Sequence, residues 1–214
     1  MSYAVKEIHY TLQGEGANAG RPAVFLRFTG CNLWSGRAED RGKGPGACSA
    51  WCDTDFVGTD GPGGGKFESA RALSLQVVSA WKGITDAGRL VVCTGGEPLL
   101  QLDEQLLAGL HAERFEVAVE TNGTLIPPPG IDWICVSPKA GSDLVLDRGD
   151  EIKLVYPQPG AEPSRFEHMA FRYFFLQPLD DAALDANTEA ATAYCLEHPR
   201  WRLSLQTHKL LGIP

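Results

Sequence analysis

Seven short apolar runs punctuate the chain, and each ends in polar residues or a turn. Residues 23–28 (AVFLRF) run into Thr29-Gly30-Cys31, 90–93 (LVVC) into TGGEP, and 116–119 (EVAV) into ETNG. Residues 132–136 (DWICV) run into SPK, 151–156 (EIKLVY) into a proline, 171–176 (FRYFFL) into QPLD, and 201–205 (WRLSL) into QTHK. Runs of this length, rich in Val, Ile, Phe, Trp and Tyr, read as buried strands. Between some of them the period changes. Over 67–82, Leu73, Val77 and Trp81 recur every fourth residue, and Gly83 follows as a stop. Leu102, Leu106 and Leu110 share one face of a second predicted helix. A third spans 187–198 (NTEAATAYCLEH), from a capping Asn187 to the residue before Pro199. Other gaps, such as 125–130 (LIPPPG), are too short or too proline-rich for a full helix.

Strands alternating with helices imply a parallel sheet, whose chemistry gathers at the carboxyl ends of the strands. A closed eightfold barrel typically takes about 250 residues. This chain has 214 and three convincing helices. The expected fold class is therefore α/β, an incomplete, splayed TIM-like barrel of parallel strands, in a single domain over 1–214. Side-chain parity places Arg27, Thr29 and Cys31 on one face of the first core strand, and Ser204, Gln206 and His208 on one face of the last. Unpaired buried polar groups cost about 1–3 kcal/mol each, so a polar face inside a helix-covered sheet must line a cavity. Plainer alternatives are an Arg27 paired with a core carboxylate and a His208 satisfied in the interior.

The net charge of −8 and pI of about 5.1 exclude a broad nucleic-acid or membrane surface, which would be basic. No apolar run reaches the roughly 18 residues of a membrane span. The start, MSYAVKEIHY, lacks the pattern of a signal peptide. The expected address is the cytoplasm, where Cys93, Cys135 and Cys195 would stay reduced and pack as small apolar residues.

The remaining cysteines, Cys31, Cys48 and Cys52, fall in one stretch, CNLWSGRAEDRGKGPGACSAWCDTD, with no fourth nearby. Structural zinc sites close with four protein ligands, and an electron-carrying four-iron cluster normally has four cysteines. Three thiolates suit a four-iron cluster with one iron open to a non-protein ligand. A zinc site closed by a distant histidine, and unrelated thiols, remain open on this loop alone; a disulfide framework is disfavoured by the expected compartment.

Taken with the strand tips, the motifs YTLQGEG (10–16), FLRFTGCNLW (25–34), WCDTDF (51–56), CTGGEPLLQ (93–101), ETNGT (120–124), SPK (137–139), QPLD (177–180) and QTHK (206–209) make the chain similar to the 7-carboxy-7-deazaguanine synthase family of radical S-adenosylmethionine enzymes. The resemblance runs from residue 10 to the C-terminus. It implies a 4Fe–4S cluster on Cys31, Cys48 and Cys52 that chelates S-adenosylmethionine. One electron then releases a 5′-deoxyadenosyl radical. The radical takes hydrogen from C6 of 6-carboxy-5,6,7,8-tetrahydropterin, the ring contracts and ammonia leaves. S-adenosylmethionine is regenerated.

The same resemblance assigns Trp51, Asp53, Gly96, Glu97, Ser137, Pro138, Lys139, Gln177, Pro178, Leu179 and Asp180 to S-adenosylmethionine. It gives the substrate Leu12, Gln13, Gly14, Arg27, Thr94 and the terminal carboxylate of Pro214, with Arg27 as the natural fork for the substrate carboxylate. Glu15, Glu120, Gln206 and His208 are weaker candidates for the same wall. Thr54 matches a ligand of Mg²⁺, an ion that keeps waters and uses substrate oxygens; Asp53 and Asp55 would supply outer charge. A homodimer and an external reductant such as a flavodoxin are further expectations. A related glycyl-radical activase with a protein target, and a non-catalytic zinc module, are the rival readings.

The chain departs from the family in its cysteine gaps of sixteen and three residues. Lengthening the first gap costs little entropy. The second, one residue longer than the family's usual two, requires a bulge or a reshaped turn between Cys48 and Cys52.

Overall fold

The computed structural model describes residues 2–214. Nine strands and four helices follow the order β1 (Tyr3–Leu12), β2 (Pro22–Phe28), β3 (Gly65–Phe67), α1 (Ala70–Ala80), β4 (Leu90–Gly95), α2 (Glu104–Ala112), β5 (Glu116–Thr121), β6 (Trp133–Val136), β7 (Arg148–Tyr156), β8 (Ala170–Pro178), α3 (Leu184–Glu197), β9 (Trp201–Leu203) and α4 (Thr207–Leu211). They form one open sheet in the order β3-β1-β2-β4-β5-β6-β7-β8-β9. From β2 to β9 all neighbours are parallel. This is the splayed, incomplete barrel expected from the strand count. Among the described residues no helix is long and apolar enough to cross a membrane.

The seven predicted strands are present, and β1 and β3 are additions. Both pair antiparallel, β1 with β2 and β3 with β1. A register shift between Val5 and Glu7 interrupts β1. A bulge of this kind moves the following side chains to the opposite face. Tyr3 and Val5 are buried before it and Ile8 after it, so no single period-2 pattern runs through the strand.

Parity sorts the sheet into two faces. The outer face carries Val24, Leu26, Phe28, Val91, Cys93, Val117 and Val119 against Leu73, Val77, Leu106 and Leu110 of α1 and α2. Further along, Ile152, Leu154, Phe174, Leu176 and Trp201 pack with Ala191 of α3. The inner face is apolar at the amino ends, where Ala23, Leu90, Val92 and Ala118 meet Phe25 and Trp133. Towards the carboxyl ends the same face becomes polar, with Arg27, Thr94, Glu120, Lys153 and Gln177.

The helix ends explain two differences from the sequence reading. α1 begins after Ser69, whose hydroxyl accepts from the Ala72 amide, and stops at Ala80. Trp81 caps it and packs edge-on against Tyr10 and Phe115. α3 starts three residues before Asn187, which is no cap. It sits buried in the helix and donates to the Leu179 carbonyl (2.8 Å) and Asp181 Oδ1 (3.0 Å). At the other end of the sheet, Tyr3 joins β1 to the start of α2: its hydroxyl donates to the Asp103 carboxylate at 2.8 Å, while Asp103 caps the Leu106 amide at 2.9 Å. Burial and the nearby carboxylate raise the proton affinity of the Tyr3 phenol. Tyr3→Phe is expected to lower stability by about 1.5–3 kcal/mol, the usual worth of a hydrogen bond to a charged group. Urea unfolding of the apoprotein measures this.

Candidate active site

A cavity of about 410 Å³ opens over the carboxyl ends of the strands. Cys31, Cys48 and Cys52 lie on its wall, and no other cysteine does. Cys31 follows β2 through the Thr29-Gly30 turn, and its Sγ accepts from the Leu33 amide at 3.4 Å. Cys48 lies within a single 3₁₀ turn over Ala47–Ala50, and Cys52 follows just beyond its cap, Trp51. The Cys52 amide donates to the Cys48 carbonyl at 2.7 Å. The three-residue gap thus closes as a hydrogen-bonded turn, and both cysteines reach the cavity wall.

The long first gap is ordered by its own contacts. Arg41 donates to the carbonyls of Ala50 and Cys52 at 3.3 Å and stacks over Trp34. The Ala47 amide reaches the Ala140 carbonyl at 2.8 Å, docking the cysteine loop onto the segment after SPK. Gly44 passes so close that a Cβ there would lie 2.0 Å from the Leu33 carbonyl oxygen.

The GGEP turn lies behind the wall. Glu97 is fully buried. Its amide donates to the Gly30 carbonyl at 2.9 Å. Its carboxylate accepts from the Leu99 amide (3.0 Å), the Thr121 hydroxyl (2.8 Å) and the Asn122 amide (2.8 Å). Burial pushes this carboxyl up, while the Asn122, Leu99 and Thr121 bonds pull it down. Glu97 is expected to touch the cofactor; in the structure its carboxylate ties the turn after β4 to the tip of β5, and its amide ties that turn to the tip of β2. Gly96 does reach the wall, and a Cβ there would meet the Gly30 carbonyl oxygen at 2.1 Å.

The other expected residues divide in the same way. Trp51, Asp53, Thr54, Ser137, Lys139, Gln177, Leu12, Gln13, Glu15, Arg27, Thr94, Glu120, Gln206, His208 and Pro214 all line the cavity. Gly14, Pro138, Pro178, Leu179 and Asp180 do not. Gly14 underlies His208, whose ring a Cβ would strike, and its carbonyl accepts from Thr207. The Pro138 carbonyl accepts from Gln158, Pro178 is buried, Leu179 bonds Tyr156 and Asn187, and Asp180 holds Lys209. Parity also fails past Leu203: β9 ends there, and Gln206 and His208 reach the cavity through the turn into α4. Ser204 is occupied elsewhere, accepting from the Gly16 amide at 2.9 Å. The chain returns after α4, so that the Thr11 hydroxyl donates to the Pro214 carbonyl oxygen at 2.7 Å.

Five cations line the cavity, Lys6, Arg27, Lys139, Lys153 and Lys209. Lys6 pairs with Asp55 and Asp60, both at 2.8 Å. Arg27 Nε donates to Glu7 at 2.8 Å. Lys209 pairs with Asp53 at 2.8 Å and with Asp180. Lys153 pairs with Glu15 and, at 3.2 Å, with Glu120. Lys139 alone has no carboxylate partner among the described residues. It donates to the Ser137 carbonyl at 2.9 Å and lies 5.8 Å from the Trp51 ring centre. Burial lowers its proton affinity, opposed by the Cys48 and Cys52 sulfurs.

Sequence reasoning missed Lys6, Glu7, His9, Phe56, Asn122, Lys153 and Lys209 as wall residues. Lys153 had a signal: a lysine flanked by Ile152 and Leu154 inside an apolar run must point away from them. Those in β1 had none, because the bulge hides the alternation.

The comparisons agree with this geometry. No protein-family model matches the chain. The curated 7-carboxy-7-deazaguanine synthase of Bordetella pertussis is 62% identical over 214 residues, covering all of both chains. That of Caulobacter vibrioides is 60% identical, again over the whole of both. The chain belongs to the 7-carboxy-7-deazaguanine synthase family. The crystal structure of QueE from Escherichia coli matches with a TM-score of 0.67 at 28% identity, over 96% of this chain and 94% of that one. Family membership sets aside the activase and the zinc module, and implies a 4Fe–4S cluster and S-adenosylmethionine.

The residues present fit these groups. Three thiols share one wall, as a cluster held by three cysteines requires. Burial pushes the Cys48 thiol up to about 11, and a bound metal would stabilise its thiolate. Gln177 Oε1 is a buried acceptor with no partner among the described residues, as a wall awaiting a donor would leave it.

Glu97→Ala leaves three donors facing a void, and is expected to cost about 3 kcal/mol or more. The urea midpoint of the apoprotein should fall, and iron uptake on reconstitution should fall with it.

Proposed function

We propose that this chain converts 6-carboxy-5,6,7,8-tetrahydropterin to 7-carboxy-7-deazaguanine with loss of ammonia, in queuosine and 7-deazapurine biosynthesis. The observation that carries this reading is the meeting at one cavity of three cysteines, without a fourth, and the polar carboxyl ends of β2, β4, β5, β6 and β8. When bound, the cluster and S-adenosylmethionine supply a 5′-deoxyadenosyl radical by one-electron cleavage of a carbon–sulfur bond.

The chain's own residues bind, orient and shield. Cys31, Cys48 and Cys52 would hold the cluster, whose open iron would take the methionine end of S-adenosylmethionine. Trp51, Asp53, Gly96, Ser137, Lys139 and Gln177 are the wall positions for the rest of that cofactor, with Lys139 supplying the uncommitted positive charge. On the other side, Arg27 uses Nε on Glu7 and keeps its terminal N–H groups for the substrate carboxylate. Leu12, Gln13, Thr94 and Pro214 surround the pterin, and Gly14 contributes backbone beneath His208. Thr54 is the proposed protein ligand of Mg²⁺; Asp53 and Asp55, each already held by a lysine, add charge beyond the ion's own ligands. A homodimer, a flavodoxin-like reductant and a cytoplasmic address complete the reading.

Anaerobic reconstitution with iron and sulfide tests it. The protein should turn brown and cleave S-adenosylmethionine when carboxypterin and reductant are present. Cys48→Ala should lose the cluster and all turnover; a variant that kept its full iron would show the ligand set to be wrong. Arg27→Met should keep its cluster but bind the carboxypterin about tenfold or more weakly, the worth of a charge-assisted pair. Unchanged affinity would remove Arg27 from the substrate site.

A further inference from the structure

Lys153 is the most deeply set charge in the cavity. Its side chain is 5% exposed, against 13% for Glu15 and 21% for Glu120. It projects from the middle of β7 on the face shared with Glu151 and Val155, while Ile152 and Leu154 enter the outer core. Burial disfavours its ammonium, but Glu120 and Glu15 more than compensate, and the lysine is held well above its ordinary proton affinity.

The two carboxylates it meets are not equivalent. Glu15 is fully engaged: one oxygen accepts from Lys153, the other from Gln206 (3.0 Å) and Gln177 (3.2 Å). Burial works against its charge, yet Lys153 and Gln206 hold it below the usual carboxylate range. Glu120 is half engaged. Its Oε1 accepts from Lys153 (3.2 Å) and from Gln13 Nε2 (3.0 Å). Its Oε2 has no partner among the described residues, and Glu120 lines the cavity. Gln13 is itself fixed, since its other amide atom accepts from the Glu15 backbone at 3.1 Å.

We propose that Lys153 is a positioning residue for substrate: anchored by Glu15, its ammonium orients Glu120 so that Oε2 stands as a fixed acceptor for the N–H edge of the bicyclic substrate. Glu15 is then an anchor rather than a substrate contact. A planar heterocycle with adjacent ring N–H and amino donors is the ligand chemistry that one oriented carboxylate recognises best. Without the lysine, two carboxylates would face each other across a half-buried wall, and Glu120 would swing or neutralise.

The inference rests on the proposed carboxypterin substrate, and the test separates the two. Carboxypterin is titrated calorimetrically into reconstituted protein loaded with S-adenosylmethionine, without reductant, so that nothing turns over. Lys153→Met should weaken binding about tenfold or more, with iron content and S-adenosylmethionine affinity within about twofold of wild type. Glu120→Gln should lose a similar factor. The double variant should bind no worse than Glu120→Gln alone, because Lys153 acts through Glu120. Lys153→Arg should recover most of the affinity. Losses that multiply in the double variant, or Lys153→Met binding within about twofold of wild type, would overturn the assignment. If Lys153→Met does not fold, Glu15→Gln/Lys153→Met removes both charges of the tightest pair and is read in the same cycle. A wild-type protein that did not bind carboxypterin would instead overturn the functional reading, and this inference with it.

Discussion

One buried carboxylate holds the reactive end of this sheet in shape. Glu97 accepts from the Leu99 and Asn122 amides and the Thr121 hydroxyl, and its own amide reaches the Gly30 carbonyl. The turns after β2, β4 and β5 are thereby fixed to one another at their carboxyl ends. Asn122 extends the joint by donating to Asn32 at 2.9 Å, next to Cys31. The glycines before Glu97 follow from this. Gly95, at φ 142°, crosses the Phe28 carbonyl and Gly96 crosses that of Gly30 so closely that no side chain fits. The position of the first cysteine thus depends on a carboxylate that never meets the cavity. An unsatisfied charge at this depth would cost several kcal/mol; three donors make it a joint instead.

Above that joint the inner face of the sheet changes character along every strand. Small and aromatic residues, Ala23, Val92, Ala118 and Trp133, close the amino end. Arg27, Thr94, Glu120, Lys153 and Gln177 open the other. Because successive side chains alternate across a strand, the chain can vary this face without disturbing the outer one, where Leu26, Val119, Leu154 and Leu176 stay fully buried. Core and chemistry are written on opposite parities of the same residues.

That division explains what could be read from the sequence. The central strands β2, β4 and β5 announce themselves because they are buried on both faces and form nearly continuous apolar runs. Polar tips mark the carboxyl ends of the strands, so Arg27, Thr94, Ser137 and Gln177 could be placed at a cavity by pattern and motif alone. β1 was not legible. Its bulge shifts the buried set from Tyr3 and Val5 to Ile8 and leaves Glu7 and His9 on the cavity side, so no period survives. Glu97 sits behind the wall, because a motif records which residue is needed, and not whether its side chain serves a ligand or the backbone. The same limit applies to Gly14, Pro138, Leu179 and Asp180, which shape neighbouring wall residues. The cysteine spacing looked anomalous because it was counted as a loop; in three dimensions it is one hydrogen-bonded turn.

The electrostatics reconcile an acidic chain with a site for anionic groups. A net charge of −8 gives a long-range field that repels carboxylates, but salt screens it within about 8–10 Å. Inside the cavity the local balance decides. Lys6, Lys153 and Lys209 are each held by two carboxylates, so they organise the wall and present little free charge. Arg27 has one partner on one edge of its fork, and Lys139 has none. These two cations enter the cavity from β2 and from the turn after β6, which are separated in the sheet by β4 and β5. Two carboxylate-bearing molecules can therefore be drawn in together without competing for one cation. On the proposed reading Lys139, beside the thiols, would face one, and Arg27, beside Thr94 in the register of β2 and β4, would face the other. Exchanging which cations carry partners would leave the fold and net charge unaltered and would still scramble the order in which the two molecules sit.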